Sequence, residues 1–492
     1  MNFILAIDQG TTGTTSLILN ASTLNVIDRE KCEYRQIYPK PGWVEHDLED
    51  IWQSVSNSVH TLLLRTKIDP KKILGIGITN QRETTCAYDK SGNPLHNAIV
   101  WQDRRTSEYC DVNKANYDLV CRKKTGLPLD PYFSATKMRW LLDNAPSVKM
   151  ASEKDDLCLS TVDTFLVHRL TDGRSYVTEA TNASRTMLMN LETFQWDEDL
   201  LSFFELEKKF LPEIKESFSP FGETKNAGIL PDGIPILSIL GDQQAALFGQ
   251  ACVNEGDIKS TYGTGAFLLL NTGEKIIESQ TGLLTTAAYS FNGKKIYALE
   301  GSAYIAGAAV QWLRDNLKCI KKSSDISALA SEVTDLSQME NVMFLPFFTG
   351  IGTPYWNSHA KAAIVGLTRD TNTAHIARAC LEGIALSLDD SVSSFKKDFP
   401  NINEIKVDGG ASANDLLMQF QANFSQKVIL RPQVIDTTAF GVAVGCLVAN
   451  GSLKINEIEE YWKIEKEFKP QDDHYFANKK NLWSSTIRRL YC

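Results

Sequence analysis

Apolar runs and apolar periodicities alternate along this chain and predict an α/β protein. Short apolar runs that end at glycine predict buried strands at residues 3–7, 258–261 and 405–407. Apolar positions that recur every three or four residues predict helices from about 48 to 65 and from about 376 to 396. Because strands that alternate with helices pack in layers, we expect an α/β layered architecture.

Each of these predicted strands ends in a glycine-rich turn. The first runs into Asp-Gln-Gly-Thr-Thr-Gly at residues 8–13, and a returning strand is predicted at 16–19. The second runs into Tyr-Gly-Thr-Gly at 262–265, with a returning strand at 266–270. The third ends in Asp-Gly-Gly at 408–410. A strand, a Gly/Thr turn and a returning strand therefore occur twice, once in each half of the chain.

Such turns have the chemistry of a nucleotide-phosphate site. Phosphates need closely spaced backbone N–H donors, and glycine lets the backbone approach them. Asp8 at the strand end is suited to hold Mg²⁺ through water, because Mg²⁺ takes few carboxylates and several waters. A tight hairpin would also explain the first turn alone, but three such junctions favour a clamp around ATP. The chain has neither a Walker A motif nor a dinucleotide fingerprint, which argues against P-loop and Rossmann sites.

The length and charge of the chain limit its architecture and its partners. A chain of 492 residues is too long for one compact core and fits two large domains. We place their boundary at the polar turn near 251–256, which gives domains at 1–251 and 252–492. A formal net charge of −9 argues against a nucleic-acid partner, since binding to a phosphate backbone needs a basic face.

The cysteines and the apolar stretches indicate a location in the cytoplasm. Ten cysteines are scattered without metal-binding spacing, and we interpret them as free thiols of a reducing compartment. No apolar stretch reaches the ~20 residues that a membrane span needs. The longest, at 439–449, contains two glycines and predicts a packed helix. The first residues lack an export signal, because Asp8 directly follows a short apolar run.

Longer strings connect these turns to a known family. The turn at 8–12, the junction at 408–410 and the duplicated halves resemble the actin-like ATPase superfamily. Residues 132–144 and the segment from 363 to 382 are similar to the two signature patterns of the FGGY family of carbohydrate kinases. The similarity extends from residue 3 to about 470. It implies two actin-like (ribonuclease H-like) α/β domains with a catalytic cleft between them.

Further strings narrow the resemblance to the family members that phosphorylate glycerol. They lie at 38–47, 79–85, 101–106, 241–250 and 350–356. The resemblance implies transfer of the γ-phosphoryl group of ATP, with Mg²⁺, to glycerol. The product would be sn-glycerol 3-phosphate for glycerol catabolism and for glycerolipid supply, and the protein would be a homo-oligomer (a dimer or a tetramer). A kinase for another polyol or a ketose is the nearest alternative, and a non-catalytic ATP clamp is a more distant one.

The resemblance also assigns an acceptor site, made of Arg82, Glu83, Trp101, Tyr132, Asp242, Gln243 and Phe267. Arg82 and Glu83 would hold the two hydroxyls distal to the reacting one. Asp242, at the tip of the predicted strand 236–240, would accept the proton of the attacking hydroxyl. Two aromatic residues would cover the carbon chain and exclude water, namely Trp101 and Phe267. A further hydrogen bond would come from Tyr132, and Gln243 would position the substrate.

Structural roles remain open for several of these residues. An adjacent pair such as Arg82 and Glu83 is elsewhere most often a solvated surface pair. Packing alone would also explain Trp101 and Phe267. Asp242 is also suited to cap the helix that begins at residue 243, a role that is compatible with catalysis.

The nucleotide side is assigned by the same resemblance. It implies contacts to phosphate from Thr11, Thr12, Gly13 and Thr264, a border formed by Gly307 and Gln311 at the start of a helix, and contacts to adenosine from Gly410 and Asn414. One position departs from the family pattern. Many bacterial relatives carry an arginine seven residues after the first-turn aspartate, where this chain has Thr15. The sequence leaves open how the charge of the transferred phosphoryl group is neutralised.

Overall fold

A computed structural model describes residues 1–357, 359–402, 404–434, 436–471 and 474–491. Within these residues the nine described cysteines are free, as predicted, while Cys492 lies outside them. No helix in this part of the chain is both long and apolar enough to cross a membrane.

The first half of the chain contains strands and helices in alternation. Its strands are β1 (Phe3–Gln9), β2 (Gly13–Asn20), β3 (Val26–Glu33), β4 (Glu45–His46), β5 (Ile73–Asn80), β6 (Cys86–Asp89), β7 (Ala98–Ile99), β8 (Leu157–Ser160), β9 (Val177–Glu179), β10 (Met189–Asn190), β11 (Gln195–Trp196), β12 (Glu213–Lys215), β13 (Phe218–Glu223) and β14 (Pro235–Gly241). Its helices are α1 (Leu48–Thr66), α2 (Ser107–Thr125), α3 (Ser134–Asn144), α4 (Pro146–Glu153), α5 (Val162–Leu170), α6 (Ala180–Ala183), α7 (Glu198–Phe203) and α8 (Asp242–Gly249).

The second half follows the same plan. Its strands are β15 (Ile258–Tyr262), β16 (Ala266–Gly273), β17 (Leu284–Phe291), β18 (Lys294–Ala303), β19 (Met343–Leu345), β20 (Ala363–Val365), β21 (Glu404–Asp408), β22 (Val428–Pro432) and β23 (Ile464–Phe468). Its helices are α9 (Gly307–Asp315), α10 (Ile326–Ser331), α11 (Thr373–Asp398), α12 (Asp415–Ser425), α13 (Thr437–Ala449), α14 (Ile458–Tyr461) and α15 (His474–Tyr491).

Each half is organised around one larger sheet. The first has the order β13-β14-β5-β1-β2-β3, in which β14, β5 and β1 are parallel and β1, β2 and β3 form an antiparallel meander. The second has the order β17-β18-β16-β15-β21-β22-β23, in which β15, β21 and β22 are parallel. The two predicted strand–turn–strand units are confirmed as the hairpins β1–β2 and β15–β16. In both sheets the first strand of the hairpin pairs on its other side with a parallel strand.

Helices cover both faces of the first sheet. The predicted helix at 48–65 is α1, which begins after the Asp47 cap and buries an apolar stripe against β2 and β3. The predicted packed helix at 439–449 is α13, which is buried along almost its whole length. A Cβ atom added at Gly77 of β5 would lie 2.5 Å from the carbonyl oxygen of Val442 in α13. Glycine therefore lets this helix of the second half lie directly on the sheet of the first half.

The parallel strands of the first sheet bring the site together. In the register of the sheet, Asp8 of β1 lies opposite Thr79 of β5, and Gly241 of β14 lies opposite Asn80. Because parallel strands end at the same edge of a sheet, the residues that follow them lie side by side. Asp8, Arg82 and Asp242 therefore meet at one edge.

Candidate active site

The first glycine turn, at residues 10–13, is tight and is fixed by hydrogen bonds and by close packing against β3. The N–H of Gly10 donates to the carbonyl oxygen of Gly13 at 2.9 Å, and the Tyr34 hydroxyl donates to the carbonyl oxygen of Gly10 at 2.6 Å. A Cβ atom at Gly13 would lie only 2.6 Å from the carbonyl oxygen of Cys32 in β3. Thr11 and Thr12, the other two predicted phosphate contacts of this turn, lie between these anchored glycines. The turn therefore presents backbone N–H groups from a fixed conformation, as a phosphate site requires.

The second turn packs against the start of α9. The N–H of Ala306 donates to the carbonyl oxygen of Thr264 at 2.8 Å. A Cβ atom at Gly307 would lie 2.7 Å from the carbonyl oxygen of Gly263, so a side chain there would push the helix away from the turn. Thr264 and Gly307 are thus brought together, and Gln311 is exposed one helical turn further along α9.

The third junction lies against the second. Gly409 has a φ of 83°, and a Cβ atom there would lie 2.6 Å from the carbonyl oxygen of Tyr262. Apart from Gly410 itself and its two chain neighbours, no described residue has an atom within 4 Å of a Cβ atom built there, so Gly410 faces open space. The side chain of Asn414 caps α12, accepting from the N–H of Leu417 at 3.0 Å and from the Ser327 hydroxyl at 2.8 Å. The side-chain oxygen of Asn414 is thus already hydrogen-bonded, and its side-chain amide nitrogen is the group suited to a nucleotide.

Arg82 lies at the centre of the acceptor side. Its Nε atom lies 3.1 Å from Oδ1 of Asp242, and its Nη2 atom donates to Oε1 of Glu300 at 3.2 Å. Arg82 and Glu83 are buried, which contradicts the alternative of a solvated surface pair. A Cβ atom at Gly241 would lie 2.8 Å from the Arg82 side chain, so glycine is needed for the arginine to pass. The guanidinium that was predicted to meet substrate hydroxyls is already bound by two carboxylates.

Arg185 and Glu300 complete a buried charge cluster that the sequence reasoning missed. Nε of Arg185 donates to Oε1 of Glu83 at 2.6 Å, and its Nη2 atom donates to Oε1 of Glu300 at 3.0 Å. Glu83 adopts a φ of 58°, a left-handed conformation that costs energy and is common at functional sites. A signal was available at Glu300, because this charge lies within the apolar strand β18 and a buried charge needs a partner.

The charge cluster shifts the pKa values of Asp242 and Glu300 in opposite directions. Burial raises the pKa of Asp242, although Arg82 and Lys259 act in the opposite direction. Burial would also raise the pKa of Glu300, but Arg185 and Arg82 together hold it below its ordinary value. Asp242 also keeps an exposed side-chain fraction of 31%, compared with 1% for Glu300. Asp242 is therefore the better proton acceptor and the more accessible one.

Asp242 is the first residue of α8, and the N-cap position is Gly241. The predicted capping role was therefore wrong by one position. Oδ1 of Asp242 nevertheless accepts a hydrogen bond from the N–H of Gln243 at 2.7 Å, which fixes the orientation of the carboxylate. The buried Lys259 of β15 donates to the side-chain oxygen of Gln243, and burial lowers the pKa of Lys259 to about 8. This bond ties Gln243 to the second sheet.

Trp101 connects the acceptor side to the first glycine turn. Its indole N–H donates to the Thr11 hydroxyl at 2.9 Å, and its ring meets that of Tyr132 edge to face at 5.8 Å. Packing alone therefore does not account for Trp101, which is partly exposed and hydrogen-bonded. Phe267 lies in β16 opposite Thr261 and is partly exposed.

Asp8 lies in a concentration of negative charge. Burial, followed by the carboxylates of Asp242 and Asp436, raises the pKa of Asp8 to about 7. Among the described residues no group of three or more His, Cys, Asp or Glu side chains is arranged to hold a metal ion. Asp8 beside other carboxylates fits Mg²⁺, which is usually held by one or two carboxylates, waters and substrate phosphates.

Comparisons with known proteins cover nearly the whole chain. Residues 3–249 match the N-terminal domain of the FGGY family of carbohydrate kinases, and residues 258–450 match its C-terminal domain. The chain is 50% identical to the glycerol kinase of Bdellovibrio bacteriovorus, with 99% of both proteins covered. It is 46% identical to that of Thermococcus gammatolerans, with 99% of this chain and 97% of the relative covered.

A solved structure supports the same comparison. The crystal structure of Plasmodium falciparum glycerol kinase with ADP superimposes with a TM-score of 0.91 at 37% identity, covering 100% of this chain and 99% of that one. The predicted fold of two actin-like α/β domains is confirmed by these matches.

Proposed function

The chain belongs to the FGGY family of carbohydrate kinases, and from this membership we propose that it transfers the γ-phosphoryl group of ATP to glycerol. The products are sn-glycerol 3-phosphate and ADP. The observation that carries the proposal is the cluster of the buried Arg82 and Glu83 with the partly exposed Asp242 at the edge of the first sheet, next to the Asp8 turn. A protein that only clamps ATP has no use for such a cluster.

The acceptor pocket recognises hydroxyl groups by paired donors and acceptors. Arg82 donates and Glu83 accepts, and both are oriented in advance by Glu300 and Arg185. A substrate that lacks a hydroxyl leaves these buried groups unpaired, which is costly. Trp101 and Phe267 cover the carbon chain, Tyr132 adds a hydrogen bond, and Gln243 helps to position the reacting end.

Asp242 is the catalytic base. It accepts the proton of the attacking terminal hydroxyl while its carboxylate is held by Arg82 and by the N–H of Gln243. Phosphoryl transfer needs little covalent help from the protein, so positioning and charge neutralisation dominate. On the nucleotide side, Thr11, Thr12, Gly13 and Thr264 bind phosphate, Gly307 and Gln311 border the nucleotide, and Gly410 and Asn414 bind adenosine.

Asp8 would hold Mg²⁺, through water. When bound, Mg²⁺ would neutralise negative charge that develops on the phosphates. The support for this role is the raised pKa of Asp8 beside two other carboxylates, since a divalent cation would relieve their repulsion.

An acceptor panel tests the proposed function. The purified chain is assayed for ADP formation with Mg²⁺, ATP and, in turn, glycerol, dihydroxyacetone, xylulose, ribulose or no acceptor. We expect glycerol to give the highest kcat/KM. A higher kcat/KM with a ketose would reassign the substrate, and ADP formation that is independent of every acceptor would contradict a kinase.

The two halves, 1–251 and 252–492, close on the substrates. Support comes from the site, which draws on both halves: Arg82 bonds to Glu300 and Gln243 bonds to Lys259, so a ligand bound there contacts both. Closure around bound ligands is common in kinases. Small-angle scattering should give a smaller radius of gyration with glycerol plus a non-hydrolysable ATP analogue than without ligands. An unchanged radius, in protein shown to bind both ligands, would contradict closure.

The protein acts as a homo-oligomer, either a dimer or a tetramer, in the cytoplasm. Val112 and Leu119 of α2 support association, because they are 73% and 75% exposed and, seven residues apart, share one helix face. The free cysteines support a reducing compartment. Light scattering after size-exclusion chromatography tests the first point, and a monomer at assay concentration would contradict it.

A further inference from the structure

The edge strand β3 presents two different faces. Asp28 and Glu30 both bind Arg65 of α1, so they point to the helix side of the sheet. Arg29 instead pairs with Asp436, at the N-cap of α13 on the opposite face. Because side chains alternate along a strand, the next residue that shares the face of Arg29 is Lys31.

Lys31 belongs to a row of residues that crosses three strands. It pairs with Thr15 of β2, and Thr15 pairs with Asp8 of β1. The neighbours Thr14 and Ser16 bond to serines of α1, which confirms that Thr15 points away from that helix. At a strand spacing of ~4.8 Å, the Cα atom of Lys31 lies roughly 10 Å from that of Asp8.

The charged groups on the face of Asp8, Thr15 and Lys31 differ in sign and in how firmly they are paired. Asp8 lies close to Asp242 and Asp436, so the edge carries three carboxylates before any phosphate is bound. Arg29 already pairs with Asp436, one of these three carboxylates. Lys31 is bound only loosely, to Glu33 at 2.8 Å, and their side chains are 53% and 73% exposed. An exposed pair of this kind stabilises the protein little, so Lys31 is easily released.

We propose that Lys31 is a phosphate-binding residue. With nucleotide bound, its ammonium group leaves Glu33, extends across the short side chain of Thr15 and contacts the terminal phosphates of ATP at the turn 10–13. The inference rests on the proposed function and adds a residue to its nucleotide side. Lys31 also supplies a positive charge in the row of Asp8, Thr15 and Lys31, in which Thr15 carries none.

The test is equilibrium binding of nucleotides to the full-length chain without acceptor, measured by calorimetry. Lys31→Gln should weaken ATP binding roughly 5–10-fold, since one charge contact at partial exposure is lost. Binding of adenosine should stay within about twofold, because adenosine carries no phosphate. Lys31→Arg should restore ATP binding. Lys275→Gln is the matched control, because Lys275 also forms an exposed pair, with Glu255 in the second half of the chain.

Two outcomes with Lys31→Gln would overturn the proposal. One is an ATP affinity of Lys31→Gln within about twofold of wild type. The other is an equal loss for adenosine and ATP, which would indicate a structural role. Glu33→Gln removes the ion pair and keeps Lys31 free to contact phosphate. This variant should bind ATP as tightly as wild type or more tightly. A weakening equal to that of Lys31→Gln would show that ATP binding depends on the Lys31–Glu33 pair and would also overturn the proposal. Binding without acceptor is independent of glycerol, so a wild type that binds ATP through Lys31 but does not phosphorylate glycerol would contradict the proposed function alone.

Discussion

Replacing Asp8 by asparagine should stabilise the ligand-free protein at neutral pH. In the folded protein the pKa of Asp8 rises from 3.8 to about 7, so ionising this carboxyl group costs folding free energy. At 1.36 kcal/mol for each pH unit, the rise corresponds to ~4 kcal/mol as an upper limit. Asp8 keeps part of its exposure, so we expect about 1–2 kcal/mol after solvent screening. Asparagine has a similar shape and does not ionise, so it avoids this cost.

The sign of the effect fixes its pH dependence. Because the folded state holds the Asp8 proton more tightly than the unfolded state does, wild type loses stability as pH rises from about 4 to about 7. The gain from Asp8→Asn should therefore be near zero at pH 4, grow up to pH 7 and stay constant above it. Asp28→Asn is a control with the opposite expected effect on stability, because a hydrogen bond from Arg65 lowers the pKa of Asp28. That variant should lose stability above pH 4.

Thermal melts at several pH values provide the assay. A gain of 1 kcal/mol raises Tm by roughly 2–4 °C for a folding unit of 150–250 residues. Millimolar Mg²⁺ with ATP should raise the Tm of wild type more than that of Asp8→Asn, because the variant lacks the carboxylate that orders the hydrated ion. An Asp8→Asn protein that melts at or below wild type at pH 8 would refute the electrostatic reasoning for this site.

Three further predictions concern the acceptor side. Asp242→Asn should lower kcat by roughly 10²–10⁴ with the Kd for ATP within about twofold, and a kcat above about a tenth of wild type would remove the base role. Glu300→Gln should cost about 3–5 kcal/mol in urea unfolding, because Arg82 and Arg185 lose a buried partner; a loss below about 1 kcal/mol would mean that Glu83 and Asp242 suffice. Its kcat/KM for glycerol should also fall, while ATP binding is kept. 1,2-Propanediol should be at least about 10²-fold poorer than glycerol in kcat/KM, and comparable values would show that Arg82 and Glu83 do not recognise the distal hydroxyl.

The sequence predicted those parts of the site that carry local signals. Asp8 and Asp242 each follow an apolar run, Asp8 near the end of β1 and Asp242 directly after β14, and glycines mark the turns beside them. Strand ends and turns were therefore visible without a structure. The parallel pairing that puts these ends side by side has no local signal in the sequence and is seen only in the register of β1, β5 and β14.

The contacts that the sequence did not predict join residues far apart along the chain. Arg185 lies 102 residues from Glu83 and 115 from Glu300, and Glu300 lies 218 from Arg82. No periodicity relates positions at such distances, and the helix before Arg185, Ala180–Ala183, is too short to show a periodic pattern. The face that holds Lys31 depends on the pairing of β2 with β3, which a one-residue slip would reverse.

Analysis of the reaction product tests the central claim most directly. The wild-type chain is incubated with ATP, Mg²⁺ and ¹³C-labelled glycerol, and the mixture is followed by ³¹P and ¹³C NMR. The stereochemistry of the product is read with a dehydrogenase specific for sn-glycerol 3-phosphate. We predict one equivalent of sn-glycerol 3-phosphate for each ADP formed. ADP that accumulates with inorganic phosphate and unmodified glycerol, or phosphate on the central carbon, would contradict this account.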